Sequence, residues 1–297
     1  MSKKIVVGLG EVLWDVYEDQ ALFGGAPANF ACHAASLGAD ARIASAVGQD
    51  DLGKKALEWM KQHSLACDWI EIDTEHATGS VDISLDRNGL PQYRFASDVA
   101  WDFLRIRPHW SQLAESCHAV CYGTLAQRSS ISSAAILEFL DRTEPQTLRV
   151  FDVNLRQEFY GAYVLEASLR RANIVKLNHE ELPIVTRLLG MELGGERGGE
   201  IEMCDRLIED YSLRALALTR GAQGSAVYLD GKWDQQIAPK IQAVDTVGAG
   251  DAFSAALIMG ILSGKPLEPI HAQAALIAAY VCTQRGAVVP IPETLLL

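Results

Sequence analysis

Residues 4–10, Lys-Ile-Val-Val-Gly-Leu-Gly, form a continuous apolar run punctuated by glycine, and this run constrains the fold more than any other local feature. A strand with one wet face alternates apolar and polar residues. One that is apolar throughout has to be covered on both faces, as a central parallel strand is. Further strands are predicted at 41–47, 118–123, 147–152, 173–177 and 215–218, and from residue 119 onward they alternate regularly with helical stretches. The expected fold class is α/β: a three-layer α/β/α sandwich around a mostly parallel sheet. A chain of 297 residues can bury a substantial core, so one domain over 1–297 is expected. Residues 70–104 break the rhythm, because 80–85 and 92–96 alternate in period two around the turn chemistry of Arg87-Asn88-Gly89-Leu90-Pro91. They are expected to form a small β-sheet projecting from the main body.

Composition narrows the function classes. The formal net charge is −12 and no Lys/Arg cluster tracks a phosphate backbone, so nucleic acid is not an expected partner. No apolar stretch reaches membrane-spanning length without charge or turn residues, and the first residues are too short for a signal peptide. The expectation is a cytoplasmic protein without a membrane partner. Six cysteines show no metal-ligand spacing, and Cys117 and Cys121 on a buried strand are expected to be core thiols.

The stretch Asp245-Thr246-Val247-Gly248-Ala249-Gly250-Asp251 runs into an apolar, Ala-rich helix. Small residues let the backbone approach a ligand, and the helix start offers unpaired N–H groups at its positive end, an anion site. Asp251 there is either an N-terminal cap or a base that deprotonates a hydroxyl attacking a phosphoryl group. Near the N-terminus, Gly8-x-Gly10 lacks the third glycine of a dinucleotide fingerprint. Asp15, just past a central strand, is either a solvated loop residue or an acceptor for two neighbouring polyol hydroxyls. Gly24 and Gly25 permit tight backbone geometry beside a ligand. Asn29, on the first turn of the helix that ends at Gly38, brings a donor and an acceptor to one place. At later strand ends, where open α/β sheets hold ligands, stand Gln127, Asp152 and Arg156. Gln127 is a candidate contact for such a polyol, Asp152 suits a water around Mg²⁺, and Arg156 suits phosphate or carboxylate.

The string Asp-Thr-x-Gly-Ala-Gly-Asp at 245–251 resembles the C-terminal signature of the ribokinase-like (PfkB) carbohydrate kinases at every fixed position. The block 24–56, with Gly24-Gly25-x-x-x-Asn29, resembles that family's N-terminal signature, so the resemblance covers nearly the whole chain. It implies an ATP- and Mg²⁺-dependent kinase in which Asp251 is the base and the N–H groups of Gly248, Ala249 and Gly250 receive the transferring phosphoryl charge. Asp15, Gly24, Gly25 and Asn29 would hold the sugar. The Asn178-x-x-Glu181 element implies that Glu181 orders water around Mg²⁺ while Asn178 faces the triphosphate; read alone, Glu181 only complements a helix dipole. Thr219, Arg220, Gly221 and Gly224 would lie along the nucleotide phosphates, although the same turn also reads as a plain hairpin. Asp245 and the backbone near Val247 are candidates for a monovalent cation such as K⁺, as in several relatives.

In the family the small sheet is a lid over the sugar. Tyr93, Phe95 and Trp101 are candidates to cover the sugar face, or else to pack the lid onto the body or onto a second subunit in a homodimer. The adenine pocket is the least defined part, with only Gln273 in the last helix. No role is assigned to the Gly-rich loop 191–199, and residues 293–297 are expected to fray. Within the family the start of the chain, the Gly-Gly-Ala-Pro-Ala-Asn segment and Ala100-Trp101-Asp102 are similar to fructokinases. Fructose is therefore the first expected acceptor and 2-keto-3-deoxygluconate the alternative, through Arg156. Ribose, inosine and tagatose 6-phosphate stay open. A catalytically silent regulator is disfavoured, because Asp251, Gly248, Gly250 and Glu181 are all present.

Overall fold

The structure is a computed structural model and describes residues 3–85, 91–191 and 199–296. Most of the turn at 87–91 and of the Gly-rich loop 191–199 therefore lies outside the described residues. In chain order the strands and helices are β1 (Ile5–Leu9), β2 (Leu13–Val16), β3 (Ala21–Gly24), α1 (Ala26–Ser36), β4 (Asp40–Gly48), α2 (Asp51–Gln62), β5 (Ile70–Asp73), β6 (Gly79–Leu85), β7 (Pro91–Phe95) and α3 (Pro108–Ser116). There follow β8 (Ala119–Tyr122), α4 (Ser130–Asp141), β9 (Leu148–Asp152), α5 (Ala162–Leu169), β10 (Ile174–Asn178), α6 (Glu181–Leu188) and α7 (Glu200–Tyr211). The chain closes with β11 (Ala215–Thr219), β12 (Ser225–Leu229), β13 (Lys232–Gln236), α8 (Ala249–Leu262) and α9 (Leu267–Cys282).

The described residues form a nine-stranded sheet in the order β13-β12-β11-β10-β9-β8-β1-β4-β5, parallel except where β12 and β13 turn back. Its strands feed two cores alternately. Val6, Cys121 and Ile174 point into the layer of α1, α2, α8 and α9, while Val7, Tyr122 and Val175 point into the layer of α3 to α7. That is why these strands are apolar on both sides: neither face meets water. β1 lies between β4 and β8, so the strand order reverses beside it, and such a reversal opens a crevice at the carboxyl edge of a sheet.

The smaller sheet has four strands in the order β3-β2-β6-β7. This corrects the expectation that residues 70–104 alone would build it. β5 belongs to the main sheet, parallel to β4, and β2 and β3 join from the N-terminal segment, with Leu13 opposite Gly79. That pairing joins distant parts of the chain, so no local pattern announces it. Trp101 takes the second of its two expected places, packed into the body: it is buried under the Arg128 guanidinium, 4.1 Å from the ring, beside Gly79 of β6, and does not line the cleft. The C-terminal residues are docked rather than frayed. Glu293–Leu295 form a 3₁₀ turn whose Leu295 carbonyl accepts Gln273 Nε2 at 3.0 Å, which also removes Gln273 from the adenine question. Cys117 and Cys121 are free and buried, as expected.

Candidate active site

A cleft of about 1320 Å³ runs between the smaller sheet and the carboxyl edge of the main sheet. The N-terminus of α8 opens into it. Gly248 takes φ 78°, and a Cβ there would lie 2.2 Å from the Ala287 carbonyl oxygen, so only glycine fits this turn. Asp245 fastens the same turn. Its Oδ1 accepts the Val247 N–H at 3.0 Å and its Oδ2 the Gly286 N–H at 3.1 Å. Each Asp245 oxygen is thus engaged by the backbone, and the residue is absent from the cleft lining, whereas Val247 lines it. Gly248, Ala249, Gly250 and Asp251 all face the cleft, as the helix-start reading requires.

Asn29 stands on the first turn of α1, the helix packed beside α8, and its Nδ2 donates to Asp251 Oδ2 at 2.9 Å across 222 positions of sequence. Asn29 follows Gly25, which takes φ 110° and where a Cβ would meet the Glu11 carbonyl oxygen at 2.4 Å, so only glycine fits. Gly25, Asn29 and Asp15 line the cleft. Gly24 does not; it lies behind Asp15, where a Cβ would come to 3.1 Å from Oδ2, so its smallness makes room for that carboxylate.

Two residues that the sequence reading left without a role are central. Glu11 is buried, lines the cleft and has an Oε2 with no partner among the described residues. Lys176 is buried, donates to Asp152 Oδ1 at 3.0 Å, and its Nζ would lie 2.8 Å from a Cβ at Gly250. Ser254 donates to the other Asp152 oxygen at 3.2 Å. A lysine in a strand otherwise buried on both faces was the available signal, since a buried ammonium needs a carboxylate partner. Asp152 is therefore the partner of Lys176, which accounts for its place at the strand end.

Glu181 opens α6 and lines the cleft. Its Oε1 accepts Leu155 N–H at 2.9 Å and its Oε2 accepts Asn178 N–H at 2.8 Å. A carboxylate so held keeps lone pairs for metal-bound water. Asn178 lines the cleft while its Oδ1 caps the helix, accepting the N–H groups of Glu180 and Glu181 at 2.9 Å each. Thr219, Gly221, Gly224 and Arg156 are also in the lining. Besides Asp245 and Gly24, two further expected residues are not. Gln127 is buried in the body, where its Nε2 donates to Gly123 O at 2.8 Å and Ser168 Oγ at 2.9 Å. Arg220 is held by Glu200 at the start of α7, Nε to Oε2 at 2.6 Å, so its guanidinium is engaged away from the cleft.

Asp251, Glu11 and Asp15 in the cleft are hard to ionise. Burial, reinforced by Asp152, raises Asp251 to about 7 although Lys176, Asn29 and Arg156 pull it down. Burial likewise brings Glu11 to about 7 and Asp15 to about 6. Burial opposes the charge on Lys176, but Asp152, Glu181 and Asp251 more than offset it and raise its pKa. The consequence for stability has a definite sign. Unfolded carboxyls ionise near pH 4, so between about 4 and 7 the folded protein keeps protons the unfolded chain has released, and stability falls as pH rises. Below that window the opposite groups act: against the cost of burial, hydrogen bonds from Thr78 and Gly53 hold Asp50 below its ordinary value. Thermal unfolding without ligand should therefore show its maximum near pH 4 and decline towards pH 7. A midpoint that climbs steadily over this range would contradict the raised values.

A buried carboxyl in the first turn of a helix, inside a cleft at the carboxyl edge of a parallel sheet, is an arrangement that phosphoryl transfer to a hydroxyl can use. Comparison with known proteins agrees. The model of the pfkB family carbohydrate kinases matches residues 8–294, and the chain belongs to that family; it is an ATP-dependent carbohydrate kinase. It is 28% identical to a putative sugar kinase of Pyrococcus horikoshii, over 95% of this chain and 91% of that one. It is also 28% identical to a fructokinase of Salmonella typhimurium, over 91% and 88% of the two chains. Among solved structures, the fold is shared with a fructokinase with bound ATP from Xylella fastidiosa, at TM-score 0.84 and 21% identity over 98% of this chain and 96% of that one.

Proposed function

We propose that this kinase transfers the γ-phosphoryl group of MgATP to the primary hydroxyl of D-fructose, yielding fructose 6-phosphate and ADP. The observation that carries the reading is the place of Asp251, where a base and the N–H groups of an α8 N-terminus meet. As the sugar oxygen attacks the γ-phosphorus, its proton passes to Asp251, and a carboxyl near pKa 7 is matched to that task. The N–H groups of residues 248–250 and the ammonium of Lys176 offset the charge on the transferring group. Mg²⁺ would supply further charge neutralisation on the phosphates, with Glu181 holding its water.

Glu11 Oε2 and Asn29 Oδ1 are buried acceptors without partners among the described residues, which suits a ligand rich in hydroxyl donors. Asp15 and the backbone at Gly25 complete the sugar side. Val81, Ile83, Tyr93 and Phe95 from the smaller sheet cover it, and the Tyr93 carbonyl is tied to Gln157 Nε2 at 2.7 Å. Thr219, Gly221, Gly224 and Asn178 take the nucleotide phosphates. Fructose is favoured over other sugars by the relatives named fructokinase and by the fructokinase-like segments around Asp15 and Asn29. A second reading, 2-keto-3-deoxygluconate, is favoured by Arg156 alone, whose fork in the cleft suits a sugar-acid carboxylate. Phosphorylation of a panel of sugars and sugar acids with MgATP tests both. Fructose should exceed glucose and ribose in kcat/KM by about tenfold or more, with the product phosphorylated at O6. Preference for the sugar acid would replace fructose, and no turnover on any acceptor would sink the reading.

A further inference from the structure

A relay of three side chains, two buried and one partly buried, lies behind the cleft and has no part in the chemistry described so far. Ser225 Oγ is 2.7 Å from His271 Nε2, and His271 Nδ1 is 2.7 Å from Asp234 Oδ2. His271 is fully buried, and Asp234 Oδ2 also accepts Gln236 Nε2 at 2.8 Å. Ser225 lines the cleft together with Phe253, Ala275, Ala278 and Cys282, and the Phe253 ring meets His271 edge-on at 5.9 Å. The hydroxyl and the aromatic wall thus converge on one imidazole. Resting on the proposed kinase reading, the sugar and phosphates occupy the cleft around Asp15, Asn29 and Asp251. The apolar stretch beside Ser225 is then left for the nucleoside base.

The relay dictates which way the Ser225 hydrogen points. An ionised carboxylate only accepts, so His271 carries its hydrogen on Nδ1, facing Asp234. Nε2 is then a lone pair, and the single hydrogen of Ser225 is spent on it. Only acceptor lone pairs of Ser225 remain for the cleft. Burial lowers the pKa of His271 despite the opposing pull of Asp234, so the ring stays neutral and does not become a donor at both nitrogens.

We propose that Ser225, locked as an acceptor by His271 and Asp234, selects adenine as the base of the phosphoryl donor. The 6-amino group of adenine supplies the hydrogen that this oxygen lacks. Guanine and hypoxanthine present a carbonyl oxygen at the same place, so two acceptors would face each other in a dry site. Ser225 is thus a specificity-determining contact, and His271 and Asp234 are positioning residues acting through it.

Calorimetric titration of the whole protein with the Mg²⁺ complexes of ATP, ITP and purine riboside triphosphate, which lacks any 6-substituent, tests this. ATP should bind about ten- to a hundredfold more tightly than ITP, with the unsubstituted nucleotide between them. Ser225→Ala should bring ATP and ITP level. Asp234→Asn lies outside the cleft and keeps the size of the side chain, but it lets the histidine hydrogen move to Nε2. Ser225 is then free to donate, and the ATP:ITP ratio should collapse towards one, a readout that loss of packing alone does not move. Equal affinity for ATP and ITP in the parent protein overturns the proposal and leaves the kinase reading standing, as does full ATP preference retained by Ser225→Ala. Failure to bind MgATP at all overturns both.

Discussion

Asp251→Asn is expected to lower turnover on the sugar by about 10²–10⁴-fold, the usual cost of losing a positioned base, while the protein folds and binds MgATP. The structure corrects the capping alternative: Gly248 is the N-cap of α8 and Asp251 stands three residues inside it, so a role confined to the helix dipole predicts near-parental activity for the asparagine variant. The structure sharpens the stability side. Asp251 is a carboxyl that burial and Asp152 resist ionising, so the neutral amide should leave the ligand-free protein at least as stable above pH 7. It should also flatten the fall in stability between about pH 4 and 7. Turnover and thermal unfolding, measured together across that range, separate the readings. A folded Asp251→Asn protein with parental turnover would remove Asp251 from the chemistry.

Lys176→Met is expected to destabilise the protein by about 3–5 kcal/mol, because it strands the Asp152 carboxylate in a buried site with Ser254 as its remaining donor. The Lys176→Met/Asp152→Asn pair removes both charges and should recover most of that loss, since a neutral pair no longer carries the desolvation cost. Activity should stay low in both, because the ammonium beside Gly250 lowers the pKa of Asp251 and offsets phosphoryl charge. Urea unfolding reads the first effect and steady-state turnover the second. A double variant as unstable as the single one would show that Lys176 acts through packing and not through its charge.

Much of the fold and part of the site was legible before any coordinates. The apolar runs at 4–10 and 41–47 and the βα alternation after residue 119 correspond to strands buried on both faces, because a strand covered on both sides has nowhere to put polar residues. Gly248 and Gly25 were marked by their type, and both hold backbone geometry that a side chain would block. Asp251 and Asn29 were visible for a similar reason: polar residues at the first turns of otherwise apolar helices stand out. Gln127 and Arg220 were misplaced because a polar residue near a strand end has two possible destinies, and Ser168 and Glu200 claimed these two.

By itself, then, the sequence determined the apolar strands of the main sheet, the helices that alternate with them, the glycine turns and the residue types at the start of α1 and α8, since these follow from local geometry and from which faces avoid water. Tertiary structure alone decided the partnerships. It brought Asn29 to Asp251, set Lys176 against Asp152, left Glu11 with an unpartnered oxygen and placed Ser225, His271 and Asp234 in one relay. It also drew β2 and β3 into the smaller sheet. The physical reason is common to all of these. A hydrogen bond or charge pair depends on the distance and environment of groups far apart in sequence, and the pattern of residues around each one is the same whether or not the partner arrives.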